Sequence, residues 1–111
     1  METVLYSDFE KLEIRTGTII DAKEFPEARK PAYQLFIDFG EWGIKQSSAQ
    51  ITKRYRIEDL MNRQVIAVIN FPVKPIAGFK SECLVLGVLG DAGDVILLQP
   101  ESQVKNGSRI A

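Results

Sequence analysis

The residue types that usually carry catalysis are sparse in this chain. It has no histidine, so His-based triads and the usual zinc sites are absent from it. Its single cysteine, Cys83, opens an apolar run and reads as a small core residue rather than a reactive thiol. Asp38, Glu58 and Asp59 are scattered, and no spacing sets one carboxylate against another. These observations predict a protein that is not an enzyme, with no cofactor and no metal. What remains is the stretch Asn70-Phe71-Pro72-Val73-Lys74-Pro75-Ile76-Ala77-Gly78-Phe79-Lys80-Ser81-Glu82-Cys83. Pro72 and Pro75 fix φ and remove backbone donors, and Gly78 permits a turn, so the stretch reads as a shaped loop. Lys74, Phe79, Lys80 and Ser81, held together, would offer a polyanion charge, ring and hydroxyl at once. The same residues also fit an ordinary strand connection with solvated lysines.

The 111 residues are expected to make one domain, 1–111, near the lower size at which a core stands unaided. The formal net charge is −1. Its distribution is uneven. Residues 1–28 hold three basic and seven acidic side chains, residues 29–80 nine and four, and residues 81–111 two and four. A basic middle between acidic ends can build a local positive face on a nearly neutral protein. One cysteine excludes an intrachain disulfide framework. The first residues lack the basic and apolar regions of a signal peptide, and no run approaches a membrane span. The expectation is a cytoplasmic protein without membrane insertion.

The elements that must position these groups follow from pattern. Ser7 to Leu12 opens with a capping residue and an acid three positions on, which predicts a short helix that must dock to be stable. Ile14 to Phe25 is β-branched and alternating, a long strand in which Gly17 is expected to mark a bend or bulge. Pro26 to Pro31 is a loop presenting Arg29 and Lys30. Tyr33, Leu35, Ile37 and Phe39 then share one face of a strand, and Gly40-Glu41-Trp42-Gly43 forms a tight hairpin turn. In the returning arm Lys45, Ser47 and Ala49 share one face and Gln46, Ser48 and Gln50 the other. Thr52 is expected to cap a helical segment over Lys53–Met61, with Tyr55 and Leu60 plugging a barrel opening. Gln64–Phe71 is apolar on both faces and should be central. Cys83–Leu89 and Val95–Gln99 complete the set.

Five to six β segments with one short helix between the third and fourth long ones predict an all-β fold, an OB-type Greek-key β-barrel; a sandwich is the alternative. Strands apolar on both faces exceed what one barrel interior can bury. The surplus predicts a symmetric homodimer, with the N-terminal helix and C-terminal extension at the interface.

Phe9-Glu10-Lys11-Leu12-Glu13-Ile14-Arg15-Thr16-Gly17-Thr18-Ile19 and Phe25-Pro26-Glu27-Ala28-Arg29-Lys30-Pro31-Ala32 resemble the opening of the CsaA family. Gly43-Ile44-Lys45-Gln46-Ser47-Ser48-Ala49-Gln50-Ile51-Thr52 and Ala77-Gly78-Phe79-Lys80-Ser81-Glu82 are also similar, and the likeness runs from about residue 8 to the C-terminus. It implies a homodimeric OB-fold tRNA-binding domain, of the type appended to some methionyl- and tyrosyl-tRNA synthetases. It also implies a chaperone-like role in bacterial export, with preproteins or unfolded peptides and the export motor ATPase as partners. Synthetase-appended relatives usually follow the Ser-Glu pair with Gly-Met; Cys83-Leu84 in that place resembles the secretion-chaperone branch. The tRNA or peptide face implied by the resemblance comprises Lys45, Ser47, Ser48, Asn70, Lys74, Phe79, Lys80 and Ser81. Arg29, Lys30 and Lys53 are weaker members, chosen for loop position and charge.

Two functions therefore stand side by side. A structure-specific tRNA binder would use lysines and hydroxyls on the backbone, with Phe79 stacking, and would bind in a salt-sensitive way. A peptide-binding export chaperone would hold unfolded segments by apolar burial that salt does not screen, and one concave surface could serve both.

Overall fold

The alternation in Tyr33–Asp38 (β2) decides the architecture: Tyr33, Leu35 and Ile37 are buried while Gln34, Phe36 and Asp38 stay partly exposed on the opposite face. In the computed structural model, which describes residues 1–111, β2 is the second strand of a five-stranded antiparallel sheet curled into a nearly closed barrel. The order across the sheet is β3-β2-β1-β4-β7, where β1 is Ile14–Glu24, β3 Ile44–Ala49, β4 Gln64–Val68 and β7 Leu84–Val85. A hairpin of β5 (Lys74–Ile76) and β6 (Phe79–Ser81) lies between β4 and β7 in sequence; β8 (Gly87–Leu89) and β9 (Val95–Leu97) form another. Ile19, Leu35, Ile37, Phe39, Leu60 and Val65 are fully buried at the centre. The expected OB-type barrel is the fold found.

The long strand β1 serves both halves of the barrel, pairing with β2 over Thr18–Glu24 and with β4 over Ile14–Thr18. The bulge that allows this sits at Ile20, where the register with β2 shifts, and not at Gly17 as expected. Gly17 has another task. A Cβ there would stand 2.7 Å from Ile37 Cγ2 and from the Phe39 ring, so the glycine lets the core press against the backbone of β1.

Two short helices also differ from expectation. Helix α1 is Tyr6–Glu10, capped at Leu5, whose N–H donates to the Asp8 carboxylate (3.2 Å); Ser7 lies inside it. Helix α2 is only Ile57–Leu60 and is capped at Arg56, whose N–H donates to Asp59 (3.0 Å), not at Thr52. The residues before it form a turn that drives Tyr55 inward, where the Tyr55 hydroxyl accepts from the Leu97 N–H (3.0 Å). Tyr55 and Leu60 are both core residues, as the barrel-plug reading requires.

The C-terminal segment docks on polar groups buried in the barrel wall. Thr16 Oγ1 donates to the Lys105 carbonyl (3.0 Å), and Gln64 Nε2 donates to the Val104 carbonyl (2.7 Å). Gly107, at φ 87°, lies so close to the β2–β3 turn that a Cβ would meet the Phe39 carbonyl at 2.5 Å. Glu13 bonds Arg15 (2.6 Å) and pairs with Arg109 (3.5 Å), and the Arg15 guanidinium holds the Glu13 carboxyl below the usual range. No helix is long and apolar enough to cross a membrane.

The β5–β6 turn is Ala77-Gly78, with both residues at positive φ (47° and 83°), the conformation a two-residue hairpin prefers. Alanine is a poor occupant of that region, where an asparagine is tolerated. Ala77→Asn should raise stability by about 0.5–1 kcal/mol, read as an upward shift in thermal midpoint. An unchanged midpoint would mean that the turn is open to solvent-driven rearrangement and contributes no strain.

Candidate nucleic-acid interface

The hairpin β5–β6 closes the barrel by docking on the free edge of β3, largely through side chains. The Glu82 N–H donates to the Gln46 carbonyl (2.8 Å), and the Gln46 N–H donates back to the Glu82 carboxylate (3.0 Å). Gln46 Nε2 donates to the Lys80 carbonyl (2.9 Å), and the Ser48 N–H donates to Ser81 Oγ (3.0 Å). Phe79 then crosses onto the outside of the barrel, edge-on to Phe25 (5.4 Å between centroids) and to Phe36 (6.3 Å).

This geometry separates groups that the sequence placed together. Lys74 pairs with Ser81, Pro75 with Lys80, and Ile76 with Phe79, and cross-strand partners share a face. Lys74, Ile76, Phe79 and Ser81 are therefore on one face of the hairpin and Lys80 on the other. Several hydroxyls and amides of the expected face are already engaged. Ser47 is buried and donates to the Cys83 carbonyl (2.8 Å), because its position in β3 points into the barrel. Lys45 shares that side of the strand and is part-buried, while Ser48 points outward. Asn70 Oδ1 accepts from the Glu13 N–H and its Nδ2 donates to the Lys11 carbonyl (both 2.8 Å), so this side chain staples the chain between α1 and β1. Lys53 donates to the Ala92 carbonyl and Arg54 pairs with Asp94 (3.1 Å), tying the β8–β9 tip to the turn before α2. Phe79, wedged between two rings, is a brace.

Two surfaces emerge. The outer face of β1–β2–β3 carries rows set by register: Lys23 opposite Gln34 opposite Ser48, and Asp21 opposite Phe36 opposite Gln46. Lys23 Nζ stands 5.2 Å from the centre of the Phe36 ring. Beside this face, the β1–β2 loop presents exposed Arg29 and Lys30, and Arg29 lines a hollow of about 360 Å³ with Glu24, Tyr33 and Thr52. Lys23, Arg29, Lys30, Lys74 and Lys80 form no ion pair with any carboxylate. The second surface is an apolar groove of about 470 Å³ walled by Phe71, Ile76, Cys83, Leu84, Val85 and Leu89, with Lys74 at its lining.

With the fold and its two surfaces described, comparison with known proteins gives the family. The family model described as "Putative tRNA binding domain" matches residues 14–109. The chain belongs to the tRNA-binding domain family. The chaperone CsaA from Bacillus anthracis is 57% identical, with a TM-score of 0.94 over 99% of this chain and 100% of that one. The CsaA chaperone from Picrophilus torridus is 49% identical, with a TM-score of 0.93 over 98% and 100% of the two chains. Among curated proteins, the methionine–tRNA ligase of Thermococcus onnurineus is 36% identical over 110 residues, 99% of this chain. The chain spans 15% of the length of that ligase, and comparable shares of the other archaeal ligases it matches.

Lys23, Gln34 and Phe36, which share the outer sheet face, were not among the residues expected from the sequence. A signal for Phe36 was present: it is the one aromatic residue on the otherwise polar side of the β2 alternation. Burial pushes the Cys83 thiol up to about 12, which disfavours the thiolate form. Cys83 should resist alkylation at pH 8 in the folded protein and react readily in denaturant, followed by mass spectrometry. Because the folded state holds this proton more tightly, its stabilising effect is complete below about pH 9 and is lost as pH rises toward 12. Fast native labelling at pH 8 would show that the groove wall opens.

Proposed function

We propose that this chain is a non-enzymatic tRNA-binding module that recognises RNA structure through the outer face of β1–β2–β3. The observation that carries the reading is the family match over residues 14–109, laid on a face flanked by cations without partners. Lys23, Lys80, Arg29 and Lys30 contact phosphates, and the Ser48 hydroxyl meets sugar or phosphate, contacts that position RNA without reading its sequence. The module works in the cytoplasm as a homodimer. Val4, Leu5 and Tyr6 remain 70–73% exposed around α1, apolar surface that a second copy covers. Methionine–tRNA ligases related to it are enzymes in which the matching part is a small share of the chain.

A second reading has its own support. CsaA neighbours at 57% and 49% identity are named chaperones, and the 470 Å³ groove is apolar. In that reading preproteins or unfolded peptides occupy the groove, Lys74 steadies an acidic group at its rim, and the export motor ATPase is a further partner. Because groove and outer face are separate, the two ligands need not exclude each other.

Labelled bulk tRNA titrated with the protein across a salt series, with an unfolded preprotein as competitor, separates the readings. We expect tight binding at low salt, a steep fall as salt rises, and little competition. Absent tRNA binding beside salt-resistant preprotein binding would overturn the primary reading.

A further inference from the structure

We propose that Phe36 is a stacking platform for one unpaired nucleobase, with Lys23 holding an adjacent phosphate and Gln34 facing the base edge. The inference rests on the tRNA-binding reading and deepens it: the outer sheet face takes a single-stranded part of the RNA, and not only duplex backbone.

Three observations converge on this ring. Phe36 points outward from β2 and is part-exposed between Asp21 and Gln46, so the barrel core does not use it. It is held in place: Phe79 meets it edge-on at 89°, and Phe79 is itself braced by Phe25. A fixed, part-open aromatic face on a polar sheet is what base stacking requires, because every base has a π-face and the ring loses little freedom on binding. The neighbouring row supplies polar groups that are free. Gln34 and Ser48 form no side-chain hydrogen bond within the protein, and Lys23, over the Phe36 ring at 5.2 Å, pairs with no carboxylate. By contrast the Gln46 amide already donates to the Lys80 carbonyl, which ties its orientation to the docked hairpin. An incoming base displaces the Lys23 ammonium from the ring, and the ammonium turns to the phosphate, exchanging a cation–π contact for a charge-assisted one.

The test uses a labelled single-stranded ribonucleotide hexamer and bulk tRNA, with Phe36→Leu, which keeps apolar volume beneath Phe79, and Phe36→Tyr, which keeps the ring. Expected are hexamer binding by the wild type, a loss of about tenfold in Phe36→Leu, and near-wild-type affinity in Phe36→Tyr. In parallel, a hexamer carrying 5-iodouridine, irradiated with wild-type protein, should cross-link at Phe36; this arm needs no variant to fold. Equal hexamer affinity in wild type and Phe36→Leu, or a cross-link among the groove residues, overturns the platform. If the wild type binds tRNA but not the hexamer, the platform fails and the tRNA-binding reading stands; if it binds neither, both fail.

Discussion

Alanine in place of Phe39 should lower the stability of the domain by about 3–5 kcal/mol in denaturant unfolding. The side chain is fully buried at the end of β2. Its ring lies so near Gly17 that a Cβ on that residue would stand 2.7 Å away, which means that the ring packs on the bare backbone of β1. Its backbone is equally fixed: the N–H donates to the Gly43 carbonyl (2.9 Å), and the carbonyl lies against Gly107 of the docked C-terminal segment. Removing the ring leaves a cavity where β1, the β2–β3 turn and the C-terminal segment converge. Backbone hydrogen bonds hold all three walls, so the site cannot collapse to fill it. For a domain of this size the loss would be a large fraction of total stability. A loss below about 1 kcal/mol would show that the walls do relax.

Reversing the charge of Lys23 and Lys80 together should weaken tRNA binding by on the order of a hundredfold at low salt and reduce the salt slope by about two. Both ammonium groups lack carboxylate partners in the free protein, so they meet phosphate without first breaking an ion pair. With a slope steeper by two, a fourfold rise in salt costs the wild type about sixteenfold more affinity than the variant. Lys74→Glu is the internal comparison. It lines the apolar groove, so it should leave tRNA affinity within about threefold of wild type. If Lys74→Glu instead produced the large loss, RNA would be entering at the groove.

The barrel was legible in the sequence because period-two alternation and paired glycines specify β2, its turn and β3 with little help from elsewhere. Where tertiary partners decide, the local signal ran out. A glycine in a strand can mark a bulge or a close approach, and only Ile37 and Phe39 on the neighbouring strand make Gly17 the second; the bulge at Ile20 carries no glycine at all. Pro75 argued for a loop, yet it is accommodated in an edge strand, where its missing donor leaves no partner unsatisfied. Once that strand pairs in register, Lys74 and Lys80 must part. Asn70 looked like a surface amide for RNA, and its use as a staple depends on Lys11 and Glu13, nearly sixty residues earlier. Cations on loops were easier to place, since Arg29 and Lys30 are exposed whatever the loop conformation.

A backbone amide NMR footprint of the isotopically labelled protein with tRNA shows whether the RNA lies on the outer sheet face. Shifts are expected to concentrate at Lys23, Gln34, Phe36 and Ser48, with the β1–β2 loop around Arg29 and Lys30 following. Shifts confined to Phe71, Ile76, Leu84 and Leu89, with the sheet face silent, would contradict it and place the RNA in the groove.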